Sequence, residues 1–228
     1  MFFGLTIKLY EIYKNTYKNI QKLTNHKGEV IKIIELKNKK LLSGSNDNTI
    51  IIYNKDNNNI YSKEYSIPTC GGNCPLVQTK DNEICYREYN NDISSLKFFD
   101  LIKGATIHKI NDVTVTYCLF DSMVMTSNDL LLVTGYEKIS IINVNSYNVI
   151  REINVYNSDW ISCALFLDKN TLLTCDYNKR IIKWEFETNN LRFISMKENA
   201  HNKEITTLTK IGNGLILTGS QDNLVKIW

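Results

Sequence analysis

Proline occurs only twice in the 228 residues, and no low-complexity or linker-like stretch interrupts the chain. With hydrophobic residues at 43% and aromatics at 11%, the composition is that of a folded globular protein and argues against a disordered tail. No apolar run approaches the roughly 18 to 20 residues that a membrane span requires, so no membrane partner is expected. The opening MFFGLTIKLYEIYKN has no apolar core of signal length, because charge enters at Lys8. The formal charge is only +3, and Lys and Asn are scattered through turns such as NKDNNN. A nucleic-acid face needs clustered positive charge to release counterions, so nucleic acid is not expected either. The six cysteines are irregularly spaced and do not read as a disulfide scaffold. Cys85, Cys118 and Cys163 sit inside apolar runs, where a free thiol behaves as a small hydrophobe. The expected compartment is therefore reducing: the cytoplasm, with the nucleus as the alternative.

Chemistry-bearing motifs are also scarce. Neither a Walker loop nor a dinucleotide fingerprint is present, and there is no G-x-S-x-G elbow. Cys70-Gly71-Gly72-Asn73-Cys74 could be half of a zinc site, but no second pair follows it, and His108 lies in a strand-like run. The segment reads instead as a loop whose glycines serve backbone conformations with positive φ. Asp92, Asp100, Asp112 and Asp121 fall in separate turns and make no paired-carboxylate site. No metal, cofactor or small-molecule substrate is expected.

What the chain does have is a repeat. His201 to Asp222 is 21 residues and Asp222 to Trp228 is 6; His26 to Asp47 is again 21 and Asp47 to Tyr53 again 6. Between those ends, LTGSQDNLVKIW mirrors LLSGSNDNTIIIY. Residues equivalent to Trp228 recur upstream as Tyr10, Tyr53, Phe99, Ile142 and Trp184, at gaps of 43, 46, 43, 42 and 44 residues. Those with a successor are followed by Glu11, Asn54, Asp100, Asn143 and Glu185. A period in the low forties, with strand-type alternation and no helical pattern, matches a propeller blade of four strands. The portions run at about 1–25, 26–66, 67–110, 111–156, 157–197 and 198–228 of one domain. The first holds two strands near Thr6–Glu11 and Asn19–Leu23, and the last has no outer strand. Tight turns are expected at Asn46–Asn48, Asn90–Asp92 and Tyr136–Lys138. A lone four-stranded sheet cannot bury both faces, so each must be covered by its neighbours.

The pattern His…GS-x-D…I-x-W at these distances resembles the WD-repeat family of β-propellers. The resemblance implies an all-β propeller with five to six blades visible. A seven-bladed ring at this period would need roughly 300 residues, which makes an incomplete part of a larger propeller the expectation. The alternative is a small closed ring in which Asn19–Leu23 completes the last blade. The resemblance also implies a buried hydrogen-bond set in each blade: His201, Thr218, Asp222 and Trp228 in full; His26, Ser43 and Asp47 with Tyr53 in place of Trp; and Thr174 with Trp184, where Asn178 stands for Asp. Ser, His and Asp in one neighbourhood invite a catalytic-triad reading. The repetition of the set and the inclusion of Trp point to structure instead.

The family's usual contact surface is the narrow top face. By position it would comprise Glu29, Ile31 and Asn46 in one blade, Trp160, Ser162 and Tyr177 in another, and Glu204, Thr206 and Gln221 in the last. The resemblance therefore implies a non-catalytic scaffold or adaptor that binds other proteins through its propeller faces. One alternative is the propeller segment of a larger multidomain protein whose catalytic part lies outside this chain. Another, an enzyme with a site in the central channel, would need a cluster of channel-facing acids or histidines, and the sequence offers none.

Overall fold

The computed structural model describes residues 4–14, 16–70, 75–90, 93–111, 123–155, 160–187 and 189–228. Among these the chain is built of strands, apart from one 3-10 turn at Gly212–Gly214, and no helix is long and apolar enough to cross a membrane. Strands pair only with strands close in sequence. The first sheet holds β1 (Ile7–Tyr13) and β2 (Thr16–Leu23). The second holds β3 (Val30–Glu35), β4 (Leu41–Ser45), β5 (Thr49–Lys55) and β6 (Tyr61–Pro68). The third holds β7 (Leu76–Lys80), β8 (Glu83–Asn90), β9 (Ile93–Asp100) and β10 (Ala105–Asn111). The fourth holds β11 (Met123–Met125), β12 (Leu130–Thr134), β13 (Lys138–Asn143) and β14 (Asn148–Asn154). The fifth holds β15 (Ile161–Phe166), β16 (Thr171–Asp176), β17 (Ile181–Glu187) and β18 (Asn190–Lys197). The sixth holds β19 (Ile205–Lys210), β20 (Ile216–Ser220) and β21 (Val225–Ile227). β2 pairs with β1 and not with the last sheet, so Asn19–Leu23 does not complete the sixth sheet.

Local chemistry sets the turns. Second and third strands are joined where Asn48, Glu137, Lys179 and Asn223 adopt positive φ at the same point of four repeats, with Asn in two of them because its short amide tolerates that region. Between the third and fourth strands, Asp100 Oδ1 accepts the amides of Ile102 and Lys103 at 2.8 and 2.9 Å. Asn143 Oδ1 accepts those of Asn145 and Ser146 at 2.8 and 3.0 Å. The acidic or amide residue that follows the closing position is thus a turn cap in these two sheets. The expected Gly71-Gly72 loop, Asn91 and Asp92 of the next turn, Cys74, Cys118, Asp112 and Asp121 lie outside the described residues.

Two irregularities recur with the repeat. Third and fourth strands slip register at the closing residue: between Leu9 and Tyr10, Ile52 and Tyr53, Ile141 and Ile142, and Lys183 and Trp184. First strands bulge between Val30 and Lys32, Ile161 and Cys163, and Ile205 and Thr207. Bulges bend and twist a strand, as a curved blade edge requires.

The core lies between sheets. β4 and β12 are buried at every position, because both faces of a second strand meet a neighbouring sheet. One arrangement repeats at the first four interfaces and not at the fifth: the residue three before a closing position shares a buried cluster with the closing residue of the next sheet. The pairs are Ile7 with Tyr53, Ile50 with Phe99, Leu96 with Ile142, and Ile139 with Trp184.

Candidate functional site

The polar set is assembled by three elements of one sheet. His201 precedes the first strand, Thr218 lies on the second, Asp222 in the turn after it, and Trp228 follows the third. Trp228 Nε1 donates to Thr218 Oγ1 at 2.8 Å, and Thr218 meets His201 Nε2 at 2.7 Å. His201 Nδ1 faces Asp222 Oδ2 at 3.0 Å, and that oxygen also accepts the Asn202 amide at 2.9 Å. The order of donors fixes the tautomer: Nδ1 carries the proton towards Asp222, and Nε2 accepts from the hydroxyl. In the second sheet His26 Nδ1 lies 2.9 Å from Asp47 Oδ2 and Nε2 lies 2.6 Å from Ser43 Oγ. Thr49 joins this set, donating to Asp47 Oδ1 at 2.6 Å. In the fifth sheet Trp184 Nε1 donates to Thr174 Oγ1 at 2.9 Å.

The carboxyls respond to these partners. Burial raises Asp47, but the Thr49 hydroxyl, the Lys27 amide and His26 outweigh it and hold the group at about 2. Burial likewise raises Asp222, and the Asn202 amide, His201 and the Leu224 amide bring it to about 2. Ser43 and Thr218 are fully buried, so no substrate can reach either hydroxyl, and Thr218 is already engaged on two sides. The arrangement can lock loop to turn and cannot act as a nucleophile–base pair.

Tyr53 departs from the expectation. It is fully buried and feels Ser43, but its hydroxyl meets no partner with hydrogen-bond geometry. An indole presents its N–H at the ring edge, towards the second strand, whereas a phenol carries its hydroxyl at the far tip. Burial pushes the Tyr53 phenol above its usual value.

Three parts of the lock were missed in the sequence. Asp176, fully buried, stands two residues before Asn178 and pairs with Arg180 (Nε to Oδ2 2.8 Å, Nη2 to Oδ2 2.6 Å), closing the fifth sheet's turn without His or Asp at the usual places. Gly28 lies so close to the turn that a Cβ there would come 2.6 Å from the Asp47 amide nitrogen. A third cluster ties the third sheet to the fourth. Tyr147 donates to Glu83 Oε2 at 2.5 Å, Lys80 Nζ sits 4.7 Å from the Tyr147 ring, and His108 stacks on that ring at 4.7 Å. Only Gly28 carried a signal, standing two residues after the histidine; the others pair residues that the repeat pattern does not contain.

The expected top-face positions come together in pairs. The Asn46 amide donates to Glu29 O at 2.9 Å, Tyr177 to Trp160 O at 3.1 Å, and Gln221 to Glu204 O at 3.0 Å. Side chains add Asn46 Nδ2 to Glu29 at 3.2 Å and Gln221 Nε2 to Glu204 at 2.6 Å. Trp160 and Tyr177 are half-buried with ring centres 5.7 Å apart, and the exposed Tyr136 of the fourth sheet packs edge-on to Trp160 at 6.3 Å. Ile31 is half-buried. Ser162 and Thr206 correct the expectation, because both are buried and cannot meet a partner. They are the bulged residues of their first strands, with hydroxyls turned back onto Cys175 O (3.2 Å) and Gly219 O (3.3 Å). Among the described residues, no three His, Cys, Asp or Glu side chains are grouped to hold a metal ion.

Residues 194–228 match the family described as WD domain, G-beta repeat. No curated protein matches the chain. Among solved structures, one chain in a crystal structure of a mitotic checkpoint complex is similar, with a TM-score of 0.80 at 13% identity. The match covers 98% of this chain and 69% of that one, and at such identity the likeness is one of fold. The family's signature is thus carried by the last repeat, and the chain as a whole has the fold of a β-propeller.

Proposed function

We propose that the chain is a non-catalytic scaffold that docks other proteins through its top face, with Tyr136, Trp160 and Tyr177 as the anchor. WD-repeat propellers bind other proteins as a rule. The observation that carries the finer reading is this aromatic group, which straddles two sheets at loop positions; Tyr136 is 48% exposed. Rigid aromatics at loop positions bury much apolar area at small entropic cost, which is why they dominate binding hot spots. A reducing compartment, cytosolic or nuclear, belongs to the same proposal. It is supported by Cys163 and Cys175, which are buried free thiols. Hydrogen bonding to Cys163 together with burial pushes the Cys175 thiol up, which keeps it unreactive.

The test compares proteins captured from lysate by the wild-type chain and by a Trp160→Ala/Tyr177→Ala variant, with thermal unfolding of both. The expected result is a defined set of captured proteins lost by the variant while its unfolding midpoint stays close to wild type. An unchanged set contradicts the anchor. A collapse in stability would assign Trp160 to the core instead.

A further inference from the structure

We infer that Cys163 and Cys175 are a redox-active dithiol that closes to a cross-strand disulfide beneath the sixth sheet. The two residues stand directly opposite each other on β15 and β16. Paired residues of an antiparallel ladder point to the same face, with α-carbons about 4.5 or about 5.5 Å apart according to the pair type. Both separations fall within the range of about 4.4–6.8 Å that a disulfide spans. Register alone therefore meets the bond's first requirement.

Equivalent positions in other sheets show how close the side chains come. Just past the first-strand bulge, the counterparts of Cys163 and Cys175 are Thr207 with Gly219 in the sixth sheet and Lys32 with Gly44 in the second. The second-strand member is glycine in both. A β-carbon added to Gly219 would stand 2.8 Å from Thr207 Cγ2. In a disulfide each sulfur lies roughly 3 Å from the partner's β-carbon, so a spacing too tight for a methyl group is that of an S–S bond. The fifth sheet puts cysteine where glycine relieves this contact elsewhere. The Cys175 thiol is pushed up first by its hydrogen bond to Cys163 and then by burial.

Cover keeps the pair at rest as thiols. Both residues are fully buried and share a cluster with Ile205, Leu208 and Ile216 of the sixth sheet. The thiolate is the nucleophile, and burial in apolar surroundings suppresses it. Local opening of the sixth sheet admits water, and a thiolate forms. It attacks a low-molecular-weight disulfide, displacing one small thiolate and leaving a mixed disulfide on the protein. The second cysteine thiolate attacks the protein sulfur of that bond, closes Cys163 onto Cys175 and releases the second small thiolate. Two protons and two electrons leave the protein, and one small disulfide becomes two small thiols. In a reducing compartment such a bond is transient and redox-sensing.

The test incubates the folded full chain with glutathione disulfide, quenches by alkylation at intervals and maps the cysteines by mass spectrometry. A linked pair of peptides carrying Cys163 and Cys175, lighter by two hydrogens than the two thiol peptides, is the expected product, and excess reduced glutathione should reopen it. Leu208→Ala thins the cover and should speed closure by roughly tenfold or more. Leu42→Ala, buried in the second sheet away from the pair, should leave the rate near that of wild type. The wild-type map decides the inference even where Leu208→Ala does not fold. The inference is overturned if both cysteines stay unlinked, if either links instead to another cysteine, or if Leu42→Ala speeds closure as much as Leu208→Ala.

Discussion

A fully buried hydroxyl needs partners, and the three repeats that carry the polar set supply them unequally. Thr174 and Thr218 each receive an indole N–H, whereas the Tyr53 hydroxyl is buried without a partner. Removing one member of a buried pair leaves the other unsatisfied, at a cost of about 1–3 kcal/mol, while removing an orphan group relieves a penalty. Thr174→Val should therefore destabilise the protein by about 1–3 kcal/mol, and Tyr53→Phe should be neutral or stabilising by up to about 1 kcal/mol. Denaturant unfolding checks both, and a large loss in Tyr53→Phe would show that its hydroxyl is bonded after all. The carboxylates add a pH dependence. Asp47 and Asp222 are held at about 2 in the folded protein, below the ordinary value of 3.8. A group whose folded pKa is depressed contributes its full stability above the unfolded value and loses it as pH falls through the folded one. The unfolding midpoint should therefore drop between about pH 4 and about pH 2. An Asp47→Asn/Asp222→Asn variant should start lower at neutral pH and fall less over that window. An equally steep acid fall in the variant would assign the effect to other carboxyls.

Whole strands are where identical sequence positions acquire different energies. Ile50 and Val225 both stand three before a closing residue, yet one is sealed between two sheets and the other faces outward. Ile50→Ala should cost about 2–5 kcal/mol. Val225→Ala should stay within about 0.5 kcal/mol. Equal costs in thermal or denaturant unfolding would mean that Val225 is covered in solution. Strand order and turn positions were legible in the sequence because the closing residues set the phase and period-2 alternation marks the strands between them. Ser162 and Thr206 were misplaced for a reason that counting cannot see: the bulge in the first strand turns those hydroxyls back onto the second. Asp176 with Arg180, and Tyr147 with Glu83, Lys80 and His108, were invisible for the opposite reason. They bridge positions the repeat leaves unspecified, and the second group spans two repeats at once.

At the scale of the molecule, the third and fourth sheets show no His–Asp lock among the described residues and are joined through Tyr147 and through the cluster of Cys85, Leu96, Phe98, Leu131, Val133 and Ile142. Cohesion therefore comes mainly from sheet covering sheet, with the polar sets pinning individual turns. Amide hydrogen exchange with peptide resolution tests that most directly. Second strands, buried on both faces, should exchange slowest, and outer strands fastest. Protection should thus peak at Leu41–Ser45, Leu130–Thr134 and Thr171–Asp176 and fall at Tyr61–Pro68, Asn148–Asn154 and Asn190–Lys197, once per repeat. Protection spread evenly over one half of the chain, with no such rhythm, would contradict it.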